Sequence, residues 1–161
     1  MAKKLQLSDE FGELIEDKLA NQIMVTGSDA TITTTADSVW TKLDLNSVSS
    51  SCGNKLTLNT TNKEIVVGSG VNYISVSCGC TVILNSSGMT YQSVSIRKNG
   101  SNWGPYTQSR GSYSPSIQPY MVLSEILIPV QQGDKISMAI YNRLAGNITV
   151  GRIYMSVKVV K

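Results

Sequence analysis

The sequence predicts an all-β protein, an antiparallel sandwich or barrel preceded by one short helix, and three observations carry that prediction. From Thr31 onward, apolar residues recur at every second position rather than every third or fourth. Turn pairs punctuate the gaps, at Asn99-Gly100, Gly133-Asp134 and Gly146-Asn147. No helical stripe is interleaved with the strands, which leaves an antiparallel arrangement rather than βαβ units.

The helix is read from SDEFGELIEDKLANQI, with Ser8 as N-cap and Asp9 and Glu10 in the first turn, where the helix dipole favours acids. Phe11, Leu14, Ile15, Leu19 and Ile23 recur at three- and four-residue steps and form one apolar stripe. Gly12 weakens this helix by about 1 kcal/mol relative to Ala, and a helix this short is marginal alone. The stripe then either covers an end of its own domain or anchors the chain to copies of itself or to another protein. Charge changes sign at the same place. Residues 1–30 hold three lysines against six acids, and the remainder holds eleven bases against five acids. The chain therefore divides into a helical attachment segment, 1–30, and a β-sandwich domain, 31–161.

Strands follow in order. VWTKLDL, KLTLNT and KEIVV are short, and VNYISVSCGCTVIL is long, with Ile74, Val76, Cys78, Cys80, Val82 and Leu84 on one face. YQSVSIRK turns Val94 and Ile96 one way. DKISMAIYN does the same with Ile136, Met138 and Ile140, and GRIYMSVKVVK with Ile153, Met155, Val157 and Val159. YMVLSEILI is apolar on both faces, as a central or interface strand is. Tyr141 and Tyr154 lie opposite the core-facing residues of their strands, which suits an oligomer contact.

Between Lys98 and Tyr120 the alternation fails. NGSNWGPYTQSRGSYSPSIQPY holds three of the four prolines and reads as a loop, and loops beyond about 12–15 residues are uncommon in compact domains unless functional or disordered. Trp103, Tyr106, Arg110 and Tyr113 are its candidate contact residues for a host-surface glycan or a neighbouring protein. The other reading is that these aromatics pack over the end of the barrel.

Composition narrows the chemistry. The 161 residues contain no histidine, so Ser-His and Cys-His nucleophiles, His bases and His metal ligands are excluded. Cys78 and Cys80 read as small buried hydrophobes, because a zinc site needs four ligands and Cys52 is the only other cysteine. Asp134 is explained by a turn. Glu125 stands inside an apolar strand, where it is either an isolated acid of raised pKa or the partner of a base across an interface. No catalytic, cofactor or metal site is expected. The bases after residue 30 are scattered, so no nucleic-acid footprint is expected. No apolar run has the roughly 18 residues of a membrane span, and MAKKLQLSDE has no secretory h-region, which predicts synthesis in a cytosol.

The second half, roughly residues 55–161, resembles the C1q/TNF-like jelly roll, the trimeric domain also found in bacteriophage structural proteins. EIVVGSGVNYISVS, SVSIRKNG, and IPVQQGDKISMAIYN followed by GRIYMSVKVVK carry the likeness, through Gly70, Tyr73, Asn99, Gly100, Gly133, Asp134 and Tyr154. In the family these positions are architectural. The resemblance implies an antiparallel jelly-roll sandwich and a homotrimer. Without a collagen-like stem or signal peptide, the layout resembles a virion head fibre or capsid decoration protein, bound to a capsid or other virion protein through residues 1–30. The alternative is a receptor- or carbohydrate-binding tip of a phage tail or fibre.

Overall fold

A computed structural model describes residues 21–34, 39–84, 88–113, 120–143 and 146–160, with the backbone alone at 34, 84, 88–91, 105–113 and 146. Twelve strands follow one another in it. They are β1 (Gln22–Thr26), β2 (Ala30–Thr34), β3 (Thr41–Lys42), β4 (Ser47–Cys52), β5 (Leu56–Asn59), β6 (Glu64–Val67), β7 (Tyr73–Leu84), β8 (Gly88–Lys98), β9 (Ser101–Tyr113), β10 (Tyr120–Pro129), β11 (Lys135–Asn142) and β12 (Gly146–Val160). The first sheet runs β10-β7-β12-β1-β4, with β2 also on β12; the second runs β5-β6-β11-β8-β9, with β3 also on β11. Every pairing is antiparallel.

The period-two residues meet between the two sheets. Ile74, Val76, Cys78, Cys80 and Val82 of β7 and Ile153, Met155 and Val157 of β12 enter from the first sheet. Val94 and Ile96 of β8 and Ile136, Met138 and Ile140 of β11 enter from the second. Leu43 and Leu45 close one side of this core although only Thr41–Lys42 of their segment is strand. Inward alternation of the predicted kind is what two packed sheets require.

Two expectations are corrected here. The predicted helix ended at Ile23, but Asn21 is irregular, and Ile23 lies in β1, 2% exposed and paired with Val157 of β12. Its burial with Val25, either side of exposed Met24, is a strand pattern. Residues 22–30 thus belong to the sandwich. Phe11, Leu14, Ile15 and Leu19 lie outside the described residues, and among the described residues there is no helix.

The second correction concerns the long loop. Residues 101–113 are strand β9, the return arm of a hairpin with β8. Asn99 and Gly100 both take positive φ, 51° and 83°, as a two-residue turn between twisted strands demands, and Lys98 pairs with Ser101. The register shifts between Ser95 and Ile96, whose partners are Tyr106 and Trp103, so Gly104 and Pro105 form a bulge. β9 is an edge strand, where a proline without an N–H is tolerated. Residues 114–119 lie outside the described residues.

Candidate functional site

Trp103 is half-buried against the core, and the Lys98 ammonium lies 5.3 Å from the centre of its ring. Lys98 also donates to the Pro129 carbonyl at 2.7 Å and pairs with Asp134 Oδ2 at 3.0 Å. Asn99 Nδ2 donates to Asp134 Oδ1 at 2.8 Å, and the Gln131 N–H donates to Oδ2 at 2.9 Å. One end of the sandwich is thereby tied together through the β8–β9 hairpin, the last residue of β10 and the turn before β11. Burial alone would push the Asp134 carboxyl up, but hydrogen bonds from Asn99 and Gln131, then Lys98 with its charge, hold it below the ordinary range. From this cluster Trp103 packs part of its ring against the core. Tyr106, Arg110 and Tyr113 lie on β9 opposite Ser95, Tyr91 and Gly88, and their side chains are outside the described residues.

Trp103→Ala is expected to lower stability by about 2 kcal/mol, below the range for a fully buried tryptophan because the ring is half-exposed, with loss of the cation–π contact included. Chemical denaturation measures it. Unchanged stability would return the residue to the role of an exposed platform.

The thiols behave as the alternation implied. Cys78 and Cys80 are free, fully buried and core-facing. Burial, joined for Cys78 by the adjacent Cys80, pushes both up to about 12, which makes them unreactive at neutral pH. Among the described residues no group of Cys, Asp and Glu could hold a metal ion.

The exposed face of the first sheet is the feature that calls for a partner. On β10, Tyr120 is 54%, Val122 38% and Leu127 55% exposed, while Met121, Leu123 and Ile128 turn inward. YMVLSEILI is therefore not a central strand but an edge strand that shows an apolar face. Tyr73 of β7 is 48% exposed beside Pro129, its ladder partner. Tyr154 lies over Gly79, and its ring stacks beside Tyr120 with centroids 6.4 Å apart. Burial pushes the Tyr154 hydroxyl up to about 12, with the neighbouring Tyr120 adding to the shift. It stays neutral at physiological pH.

Tyr141 does not join this surface. It lies on the second sheet, buried, with its ring 5.6 Å from that of Trp40. Ser93, Ser95, Ser137 and Ala139, on the same side of that sheet, are buried too. The first sheet thus offers the open apolar face. At its lower rim, a groove of about 480 Å³ is lined by Asn21, Lys55, Asn72, Tyr73 and Val159.

The sequence matches no family model and no curated protein. Solved structures share the fold. Eiger TNF from S. frugiperda superposes with a TM-score of 0.57 at 11% identity, over 88% of this chain and 93% of that one. Murine APRIL gives a TM-score of 0.56 at 11% identity, over 88% and 99%. At this identity the likeness establishes the fold alone, and the fold is a TNF-like antiparallel jelly roll.

Proposed function

We propose that this chain is a non-enzymatic structural module that associates as a homotrimer through the exposed face of its β10-β7-β12 sheet. One observation carries the reading: Tyr73, Tyr120, Val122, Leu127 and the stacked Tyr154 give one side of the sandwich an apolar surface. Monomers rarely leave such patches open. The edge position of β10 adds to it, because a long exposed edge strand is a liability that natural proteins cover. Three copies about one axis is what the C1q/TNF-like resemblance implies, and the shared jelly roll supports it.

The wider setting we propose is a virion head fibre or decoration protein, attached to its particle through the residues before Asn21. Its support is the sequence layout, an acidic apolar-striped segment ahead of a polar jelly roll. In this proposal the segment stops before Asn21, because Ile23 is paired within the sheet.

Light scattering at micromolar concentration is expected to give three times 17.4 kDa. A chain starting at Asn21 should still give three times its own, smaller mass and no longer join the parent particle. A mass of 17.4 kDa for the full chain overturns the trimer. A truncated chain that still joins the particle overturns the attachment role.

A further inference from the structure

Two backbone irregularities flank β7 on the exposed face. β10 shifts register between Leu123 and Ile126, and Glu125 there has a φ of 53°. β12 shifts between Gly151 and Tyr154, and Arg152 there has a φ of 48°. Neither residue is glycine, so each holds a left-handed conformation that its Cβ disfavours. Each is also pinned. Ser77 Oγ accepts the Glu125 N–H at 3.1 Å, and Asp29 Oδ1 accepts the Arg152 N–H at 3.1 Å. Bulges re-aim side chains, and these two leave an acid exposed on the edge strand and a base exposed on the central strand of one sheet.

Neither side chain has an ion-pair partner among the described residues. Nor does the fold bring them together. Glu125 stands level with Ser77 and Arg152 level with Cys80, two strands away, which places them on the order of 14 Å apart at the usual strand spacings. That is too far for contact within one chain.

We propose that Glu125 and Arg152 pair between copies, the acid on β10 of one chain meeting the base on β12 of the next. The inference rests on the self-association proposed above and names the contact that sets its register. In a closed ring of three every interface is heterologous, with one patch meeting a different patch on the neighbour. An edge strand carrying the acid and a sheet face carrying the base suit that geometry. Tyr120, Val122 and Leu127 on the acid's strand and Tyr154 beside the base would exclude water from the pair. Opposite charges then fix orientation and reject wrong registers.

The test is reciprocal charge reversal, read as the concentration at which the oligomer half-dissociates. Glu125→Arg and Arg152→Glu are each expected to raise that concentration by about 30-fold or more. The double reversal should return it to within about threefold of the wild type. An equimolar mixture of the two single variants should associate more tightly than either alone yet more weakly than the double reversal, since a ring of three built from both kinds has two complementary interfaces and one like-charged one. Melting curves check that each variant folds. If a reversal unfolds the chain, Glu125→Gln and Arg152→Gln replace it, and each should weaken association and remove its salt dependence. Single variants that dissociate like the wild type, or a double no tighter than the weaker single, overturn the ion pair while the trimer stands. A wild type that is monomeric throughout overturns the self-association reading itself.

Discussion

Asp134→Ala is expected to destabilise the protein by about 2–3 kcal/mol, because it removes a buried carboxylate that accepts from two N–H groups and pairs with the part-exposed Lys98. Asp134 is 4% exposed and accepts from three groups at once, the Lys98 ammonium, the Asn99 amide and the Gln131 N–H. Alanine takes this acceptor from the Asn99 amide and the Gln131 N–H and leaves Lys98 only the Pro129 carbonyl, at the end of the sandwich where β8, β10 and β11 meet. Asp134→Asn keeps an oxygen for one donor but no charge for Lys98, so it should fall between alanine and the wild type. The pH dependence has a fixed sign. The folded carboxyl is held below its ordinary value of 3.8, so its contribution is complete above that value. It is lost as the pH falls further, through the folded-state pKa. Urea midpoints measured from pH 6 downward should show the gap between wild type and Asp134→Ala narrowing only below about pH 3.8. A gap that is the same at every pH would mean that the carboxylate charge contributes nothing.

Asp134 also shows how far the sequence could be read. Its place in a Gly-Asp turn was legible, and so was its bond to nearby backbone, since both are local. Its burial and its hold on Lys98 and Asn99 were not, because they depend on which hairpin end meets which turn. Strands with a clean alternation, such as β11 and β12, were legible for the same local reason. β4 was not, because its residues Ser47–Ser51 are exposed and no face is apolar. β9 was hidden by its bulge. Gly104 and Pro105 break the alternation and read as loop residues, yet on an edge strand a bulge accommodates both. Ile23 continued a helical spacing from Leu19 and a strand spacing to Val25, and the pairing of β1 with β12 and β4 separates the two. The open face was half-legible. Tyr154 and the second apolar side of β10 were visible in the pattern, whereas Tyr141, with the same pattern, belongs to the other sheet. Period shows that a residue points away from the core, not what covers it. Glu125 is the sharpest case: the alternation through Met121 and Leu123 would turn it inward, and a bulge that no alternation reveals turns it to the surface.

Gly79→Val is expected to cost about 3 kcal/mol and to dissolve the proposed trimer as well. Gly79 stands at the centre of β7, paired with Val122 on one side and Tyr154 on the other. A Cβ there would lie 2.7 Å from the Met121 carbonyl oxygen and 2.7 Å from Cε1 of Tyr154. The carbonyl belongs to the ladder and cannot move cheaply, so the strands must part or the new side chain must strain. The Tyr154 ring can lift, but then it leaves Tyr120 and the apolar face loses its flat centre. The alanine variant separates this account from a generic effect of glycine. Where space is open, replacing glycine by alanine stabilises a chain by about 0.4–1 kcal/mol, through the unfolded state. Gly79→Ala is instead expected to destabilise by about 1–2 kcal/mol and to weaken association. Thermal melts with light scattering on the same samples read both effects. A Gly79→Ala protein as stable as the wild type and of the same mass would mean that Tyr154 needs no glycine beneath it, and that the stacked tyrosines are not what shapes this face.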